Sequence, residues 1–253
     1  MRITVLGSSA AYPGAGRACS GFLIEHGSTR LLLDCGTGVL SNLQKFHELR
    51  EISAVVISHM HADHFFDLIP YRYALKYGLD TPREMQPLLY LPPGGRETLE
   101  RVAAPFAEND RFFADIFRVS EYDAVVPLRI GNLEVRFAPV RHYVPSWAIR
   151  VQGPQKIVYT SDTGACPELF SFAQNADVLL ANVGRCLVPD RESLWGHLRP
   201  SEAGALAMEA RVGTLMLSHF WPACDRERCR EEAGRQFAGP IQIAEEGLIH
   251  EMG

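Results

Sequence analysis

Residues 58–64 read SHMHADH and place three histidines and an aspartate within six positions, directly after the apolar run ISAVVI at 52–57. Imidazole nitrogens and carboxylate oxygens are the donors that first-row divalent cations take. His59 and His61 stand two apart, so in an extended loop both rings point the same way and can reach one ion. Asp63 and His64 turn into the next helix and address a second point a few ångströms away. An ion of this kind needs three or four donors, so four side chains from one loop cannot close two sites. Further donors must come from elsewhere in the chain.

They are available. His142 follows LEVRFAPV, Asp162 follows KIVYT within SDTG, and His219 follows TLMLS. Like His59, each stands just past the C-terminal end of an apolar strand-like run, where open α/β sheets place their sites. A lone histidine there is commonly a hydrogen-bonded loop residue, and a lone aspartate an Asx-turn. The density and order of HxHxDH are what carry the metal reading. His26, His47 and His250 lie outside the pattern and read as surface residues.

Apolar spacing supplies the elements that must position these side chains. Strands are expected over 3–6, 21–25, 30–34, 52–57, 88–91, 133–139, 147–151, 156–160, 177–183, 214–218 and, last, 241–244. Helices are expected over 37–46, 64–79 with a break or kink at Pro70, 95–107, 167–174, 200–211 with Pro200 in its first turn, and 226–237. HGST at 26–29 reads as a hairpin connection. Strands come first in pairs and then alternate with helices in each half. That organisation indicates one α/β domain over 1–253, with two sheets covered by helices. Residues 78–86 and 185–200 read as loops over that domain.

Composition narrows the function classes. The chain has 253 residues, 47% of them hydrophobic, and a formal net charge of -5. A sizeable core follows, and disorder does not. The acidic balance and the lack of a Lys/Arg run argue against nonspecific nucleic-acid coating. No run approaches the ~18 apolar residues of a membrane span, and MRITVLGSSAAYPGAG lacks the apolar stretch of a signal peptide. The six cysteines show no CxxC spacing, so free thiols in a reducing cytoplasm are expected.

The opening hairpins, LLLDCGTG at 31–38, SHMHADH, His142, SDTG and LSHF at 217–220 occur in the order and spacing of the metallo-β-lactamase superfamily. The chain resembles that superfamily over nearly its whole length. The resemblance implies an αββα sandwich with metals at one edge. It implies that His59, His61 and His142 hold one ion, that Asp63, His64 and His219 hold the other, and that Asp162 bridges them. The closer resemblance is to the ribonuclease Z-like branch and its small bacterial relatives, some of them cyclic-nucleotide phosphodiesterases. It rests on WGHLRPSEAGALA at 195–207, where His197 stands just before an alanine-rich helix. His197 is therefore expected at the rim of the site, beside the scissile group. That branch carries an acidic residue in the segment matching LLANVGR at 179–185, where this chain has Asn182. An amide oxygen there can accept a hydrogen bond from His197, but it cannot stabilise an imidazolium as a carboxylate does.

Zinc is favoured by the His/Asp donor set, with manganese and iron as alternatives. Two divalent ions flanking one water would make it a hydroxide near neutral pH. Set against the carboxylates of Asp63 and Asp162 and one hydroxide, they leave a single net positive charge. Such a centre favours substrates that are anionic or become so in the transition state. A phosphodiester such as a cyclic nucleotide is the first expectation, with Asp63 and His197 as the catalytic candidates. A thioester, lactone or other carbonyl substrate is the alternative, because a thiolate leaves with little protonation. No long Gly/Pro/basic insertion offers a tRNA-binding arm. A non-catalytic metal-binding scaffold is disfavoured by the full ligand set, and a redox di-iron centre by His61, where a carboxylate would be expected. The loop GSSAAYPGAGRACSG at 7–21 is expected to line the site. Phe65, Tyr143, Trp147, Trp195, Phe220 and Trp221 are expected near its rim, with Arg141, Arg185 and Arg199 as anion contacts. Cys166 and Cys186 would lie near the metals without an assigned role. The expected partners are a small anionic or acyl substrate and a second copy of the chain, with no membrane and no stable nucleic-acid complex.

Overall fold

The structure, a computed structural model, describes residues 1–78, 86–109, 111–187 and 191–253. Strands β1 (Arg2–Gly7), β2 (Gly21–His26), β3 (Thr29–Leu33), β4 (Ala54–Val56), β5 (Leu88–Leu91) and β6 (Arg118–Glu121) stand side by side in chain order. The first three pair antiparallel; β3 through β6 pair parallel. A second sheet repeats the plan with β7 (Leu128–Ile130), β8 (Leu133–Val140), β9 (Ser146–Gln152), β10 (Lys156–Tyr159), β11 (Val178–Asn182), β12 (Thr214–Ser218) and β13 (Ile241–Ile243). It is antiparallel from β7 to β10 and parallel from β10 to β13. A last strand, β14 (Ile249–Glu251), returns to the first sheet and pairs antiparallel with β1, Ile3 opposite His250.

Period-two alternation explains the layering. In β2, Phe22 and Ile24 face the second sheet while Leu23 faces helices; in β11, Val178 and Leu180 face inward and Leu179 and Ala181 outward. Both faces are buried, so these strands read as continuous apolar runs. Each such leucine or phenylalanine contributes roughly 1.5–3 kcal/mol by leaving water. Helices α1 (Val39–Leu43), α2 (Ala62–Phe65), α3 (Leu68–Tyr77) and α4 (Gly95–Ala103) supply the outer apolar layer of the first sheet. Helices α5 (Pro167–Ala173), α6 (Pro200–Glu209) and α7 (Arg226–Gly234) supply that of the second. The result is the expected αββα sandwich.

Several local expectations change. The segment expected as one helix over 64–79 is two, and the break falls at Phe66–Asp67, ahead of Pro70. Pro70 lies in the first turn of α3, where a missing N–H breaks no helical bond. Asp67 at the break accepts from the backbone N–H groups of Gly38 (2.9 Å) and Leu40 (2.8 Å), and so caps α1. That helix starts only after Gly38, whose left-handed φ of 93° cannot belong to it. Three strands, β6, β7 and β14, are additional to the expected set, and 241–244 does not hold the final one. Residues 79–85 and 188–190, within two of the expected loops and the end of the expected helix, lie outside the described residues.

The cysteines also depart from expectation. Cys186 and Cys224 form a disulfide, with Cα atoms 5.8 Å apart; Cys19, Cys35, Cys166 and Cys229 are free thiols. The two bonded residues are far apart in sequence, but β11 and β12 are parallel neighbours, so the loops after them lie side by side. Among the described residues no helix is long and apolar enough to cross a membrane.

Candidate metal centre

Strand direction brings the donors together. β8 and β10 both run antiparallel to β9, and β10, β11 and β12 run parallel, so the C-terminal ends of β8, β10, β11 and β12 share one edge. That edge meets the ends of β1, β3 and β4. Backbone bridges His59–Ser146 and Ser9–Phe220 join the two sheets there, and Phe220 N donates to Ser8 O at 2.8 Å.

His59, His61, His142 and Asp162 form one donor group and Asp63, His64 and His219 a second, the donor atoms of each lying within 4.8 Å of one another. His61 Nδ1 is 3.2 Å from His59 Nε2 and 3.1 Å from His142 Nε2. A tetrahedral zinc ion with Zn–N of about 2.0–2.1 Å spaces its donors about 3.3–3.4 Å apart, close to these separations. Asp162 Oδ2 lies 3.1 Å from His219 Nε2, 3.4 Å from His64 Nε2, and 3.8 Å from His59 Nε2 and from His142 Nε2. It therefore faces both groups. Asp63 Oδ2 is 3.7 Å from His64 Nε2 and 3.9 Å from His219 Nε2. His64 Nε2 is buried with no hydrogen-bond partner among the described residues. A cation would satisfy it, so the residues present fit metal ions.

Four ring nitrogens turned away from the centre, those of His59, His64, His142 and His219, are held. His64 Nδ1 meets Asp34 Oδ2 at 2.7 Å, His142 Nδ1 donates to Gly196 O at 2.7 Å, and His219 Nδ1 meets Ser20 Oγ at 3.0 Å. His59 Nδ1 lies 3.1 Å from Ser58 Oγ and 3.3 Å from Ser161 Oγ. Such contacts aim each Nε2 at the centre and select its tautomer. Asp63 Oδ2 accepts from Ala11 N at 2.8 Å, so the loop after β1 does reach the site. Three residues just past strand ends, Asp34, Ser161 and His219, adopt left-handed φ of 56°, 55° and 63°. This costs on the order of 1–2 kcal/mol each and is held by the surrounding contacts.

Burial holds the imidazoles of His59, His61 and His142 below the ordinary range. For His64 burial pulls the same way, but Asp162, Asp63 and Asp34 outweigh it and raise this ring well above its usual value. Burial pushes the Asp162 carboxyl up, yet His219, His64 and His197 overcome it and hold the group well below the carboxylate range. Asp162 is thus an ionised carboxylate, and His59, His61 and His142 are neutral rings, the forms that ligate metals.

His197 lies deeper than the expected rim. It is 7% exposed, its ring lies nearly parallel to that of His219 (5.5 Å, 21°) and edge-on to that of His142 (5.0 Å, 78°). Its Nδ1 is 3.8 Å from Asp162 Oδ2. A Cβ at Gly184 would stand 2.6 Å from this nitrogen, so only glycine leaves room for the ring. The expected bond from His197 to the Asn182 amide oxygen is not made. Asn182 turns its Nδ2 toward Asp162 and Tyr159, and both Asn182 Oδ1 and His197 Nδ1 lack partners among the described residues.

The expected aromatic rim divides. Tyr143 and Trp195 are exposed, with ring centroids 4.8 Å apart and the Arg141 guanidinium 5.1 Å over Trp195. Trp221 meets Tyr12 at 6.2 Å. Phe65 and Phe220 are buried core residues, and Trp147 packs against Tyr122 between the sheets. Arg199 precedes α6 and lies 3.8 Å from Glu202. Cys166 Sγ is 3.8 Å from Thr163 Oγ1, beside the Asp162 loop. His26, His47 and His250 stand outside the donor groups and are partly exposed, His47 lying 2.9 Å from Glu25. Asp34, Ser20 and Tyr159 are site residues that motif spacing did not single out. Asp34 carried a usable signal, because it follows an apolar strand just as Asp162 does; the serine and tyrosine carried none.

The family profile of the beta-lactamase superfamily domain matches residues 29–220. The probable metallo-hydrolase YhfI of Bacillus subtilis is 30% identical over 256 residues, covering 99% of this chain and 100% of that protein. The crystal structure of that metallo-beta-lactamase fold protein superposes with a TM-score of 0.88 at 28% identity over 99% of each chain. Ribonuclease Z of Mycobacterium bovis is 28% identical over 270 residues, covering 96% of this chain and 95% of that one.

Proposed function

Because the chain belongs to the beta-lactamase superfamily, as a metallo-hydrolase related to ribonuclease Z, we propose that it is a dinuclear hydrolase of a small phosphodiester such as a cyclic nucleotide. The observation that carries this reading is the position of Asp162 Oδ2 between two donor groups. His59, His61 and His142 would hold one ion, Asp63, His64 and His219 the other. Two divalent ions there, zinc by donor type, would act as Lewis acids and lower the pKa of water.

The chain's own residues do the remaining work. Asp63, held by Ala11 N, keeps a carboxylate oxygen beside the centre as a proton acceptor. His197 stands over His219, and its imidazole is assigned to hydrogen-bond a substrate oxygen. Tyr143 and Trp195 offer ring faces to a base, and Arg141 a positive charge to a phosphate. One observation favours a second reading. No carboxylate accepts a hydrogen bond from His197 Nδ1 among the described residues, so a leaving group that needs little protonation suits the site. Hydrolysis of a thioester, lactone or other carbonyl compound is that second reading.

Protein loaded with Zn2+ or Mn2+ and offered 3′,5′-cyclic AMP and an acyl thioester separates the two. Phosphodiester turnover that disappears in Asp63→Ala is the expected result. Thioester turnover without phosphodiester turnover would replace the first reading by the second.

A further inference from the structure

Asn182, at the end of β11, is a buried polar residue that the proposed chemistry leaves without a task. Its Nδ2 donates to Asp162 Oδ1 at 2.8 Å and to the Tyr159 hydroxyl at 3.0 Å. The Tyr159 hydroxyl donates to Asp34 Oδ2 at 2.8 Å. That same oxygen meets His64 Nδ1 at 2.7 Å and accepts from Ser58 Oγ at 2.8 Å. Asp34, Ser58, His64, Tyr159, Asp162 and Asn182 are all 0–1% exposed, so water does not substitute for these bonds.

The directions are determined. Asp162 and Asp34 only accept when ionised, so Asn182 must give one hydrogen to Asp162 and the other to Tyr159, freeing the Tyr159 hydrogen for Asp34. Turning the amide over would set its oxygen against Asp162 Oδ1. A carboxylate at 182 would do the same, and two carboxylates in such contact cannot both stay ionised.

We propose that Asn182 is a positioning residue of the metal centre: it occupies Asp162 Oδ1, so that Oδ2 alone is presented to both donor groups. Through Tyr159 and Asp34 it also ties that carboxylate to His64 of the facing sheet. The inference rests on the metal-site reading above. It gives a reason for an amide where the resemblance implies an acid: the partner at this position is Asp162, not His197.

Metal affinity, measured by competition with a chromophoric chelator, and the EPR spectrum of Mn2+-loaded protein test this without turnover. Asn182→Asp and Asn182→Leu are expected to weaken binding roughly 10–100-fold. Both should convert the spin-coupled Mn2+ pair signal to that of isolated ions. Tyr159→Phe keeps the donor on Asp162 and cuts the link to Asp34, so a smaller loss is expected. Wild-type affinity and a wild-type pair signal in the Asn182 variants overturn the proposal, even if the metal-free variants melt lower, because that result marks packing alone. If Asn182→Leu does not fold, Asn182→Asp, matched in shape, decides by the same readouts. Wild-type protein that binds fewer than two ions overturns the dinuclear reading itself, and the Asn182 assignment with it, before any variant is compared.

Discussion

Burial and the neighbouring charges act on the ring of His197 in a definite direction. Burial is the largest cause, and together with His219, His142 and His64 it outweighs Asp162 and lowers this ring from 6.5 to about 4. The folded state therefore binds this proton less readily than the unfolded chain. The stability it contributes is complete above about 6.5 and is lost as pH falls toward about 4. The displacement corresponds to about 3 kcal/mol at most. Metal-free protein should melt progressively lower between these limits, and His197→Gln should flatten part of that fall, as calorimetry in a chelating buffer will read. His64 behaves oppositely, because Asp162, Asp63 and Asp34 outweigh its burial. Its proton must leave when an ion binds Nε2. Metal titrations near neutral pH should release protons, seen as a calorimetric heat that changes with the ionisation enthalpy of the buffer; a heat independent of buffer would contradict this.

The elements around the centre meet at very close approach. A Cβ on Gly36 would collide with the carbonyl oxygen of Asp63 and stand 2.8 Å from Cys19 Cβ. The loop after β3 thus fixes how near α2 can come. Gly36→Ala should cost about 1–3 kcal/mol in urea unfolding, as overpacked sites do, and should also weaken metal binding by displacing Asp63. On the other side, Trp221 Nε1 donates to Gly184 O at 2.7 Å, joining the loops that the Cys186–Cys224 bond also joins. A bond across 38 residues is worth about 2–4 kcal/mol. Reduction with dithiothreitol, or Cys186→Ser with Cys224→Ser, should lower unfolding stability by that amount. Superposable urea curves with and without reductant would show that these loops are held by the hydrogen bond and packing alone.

At the scale of the molecule, the donors come from both sheets. His59, His61, Asp63 and His64 follow β4 of the first, whereas His142, Asp162 and His219 follow β8, β10 and β12 of the second. Ions bound between them would cross-link the two layers at the edge where the shared core ends. Binding to the folded chain alone stabilises it by about 2.7 kcal/mol at a hundredfold excess over Kd. Chelation should lower the melting temperature and metal addition restore it, while Asp63→Ala should show a smaller metal-dependent shift in the same scan.

Donor chemistry and strand-end placement are local properties, so SHMHADH, His142, Asp162 and His219 could be singled out from the chain alone, as could the strands buried on both faces. Short edge strands escaped: RVSE in β6 and IHE in β14 are partly or largely exposed and carry no apolar pattern. What the fold alone decided are relations between residues distant in the chain. Tyr159 reaches Asp34 across 125 positions, and Asn182 turns to Asp162 rather than to His197. Which oxygen of Asp162 faces the centre, and which cysteines join, depend on the register and direction of β10, β11 and β12. Those are set by packing two sheets against each other, a constraint that no single stretch of sequence contains.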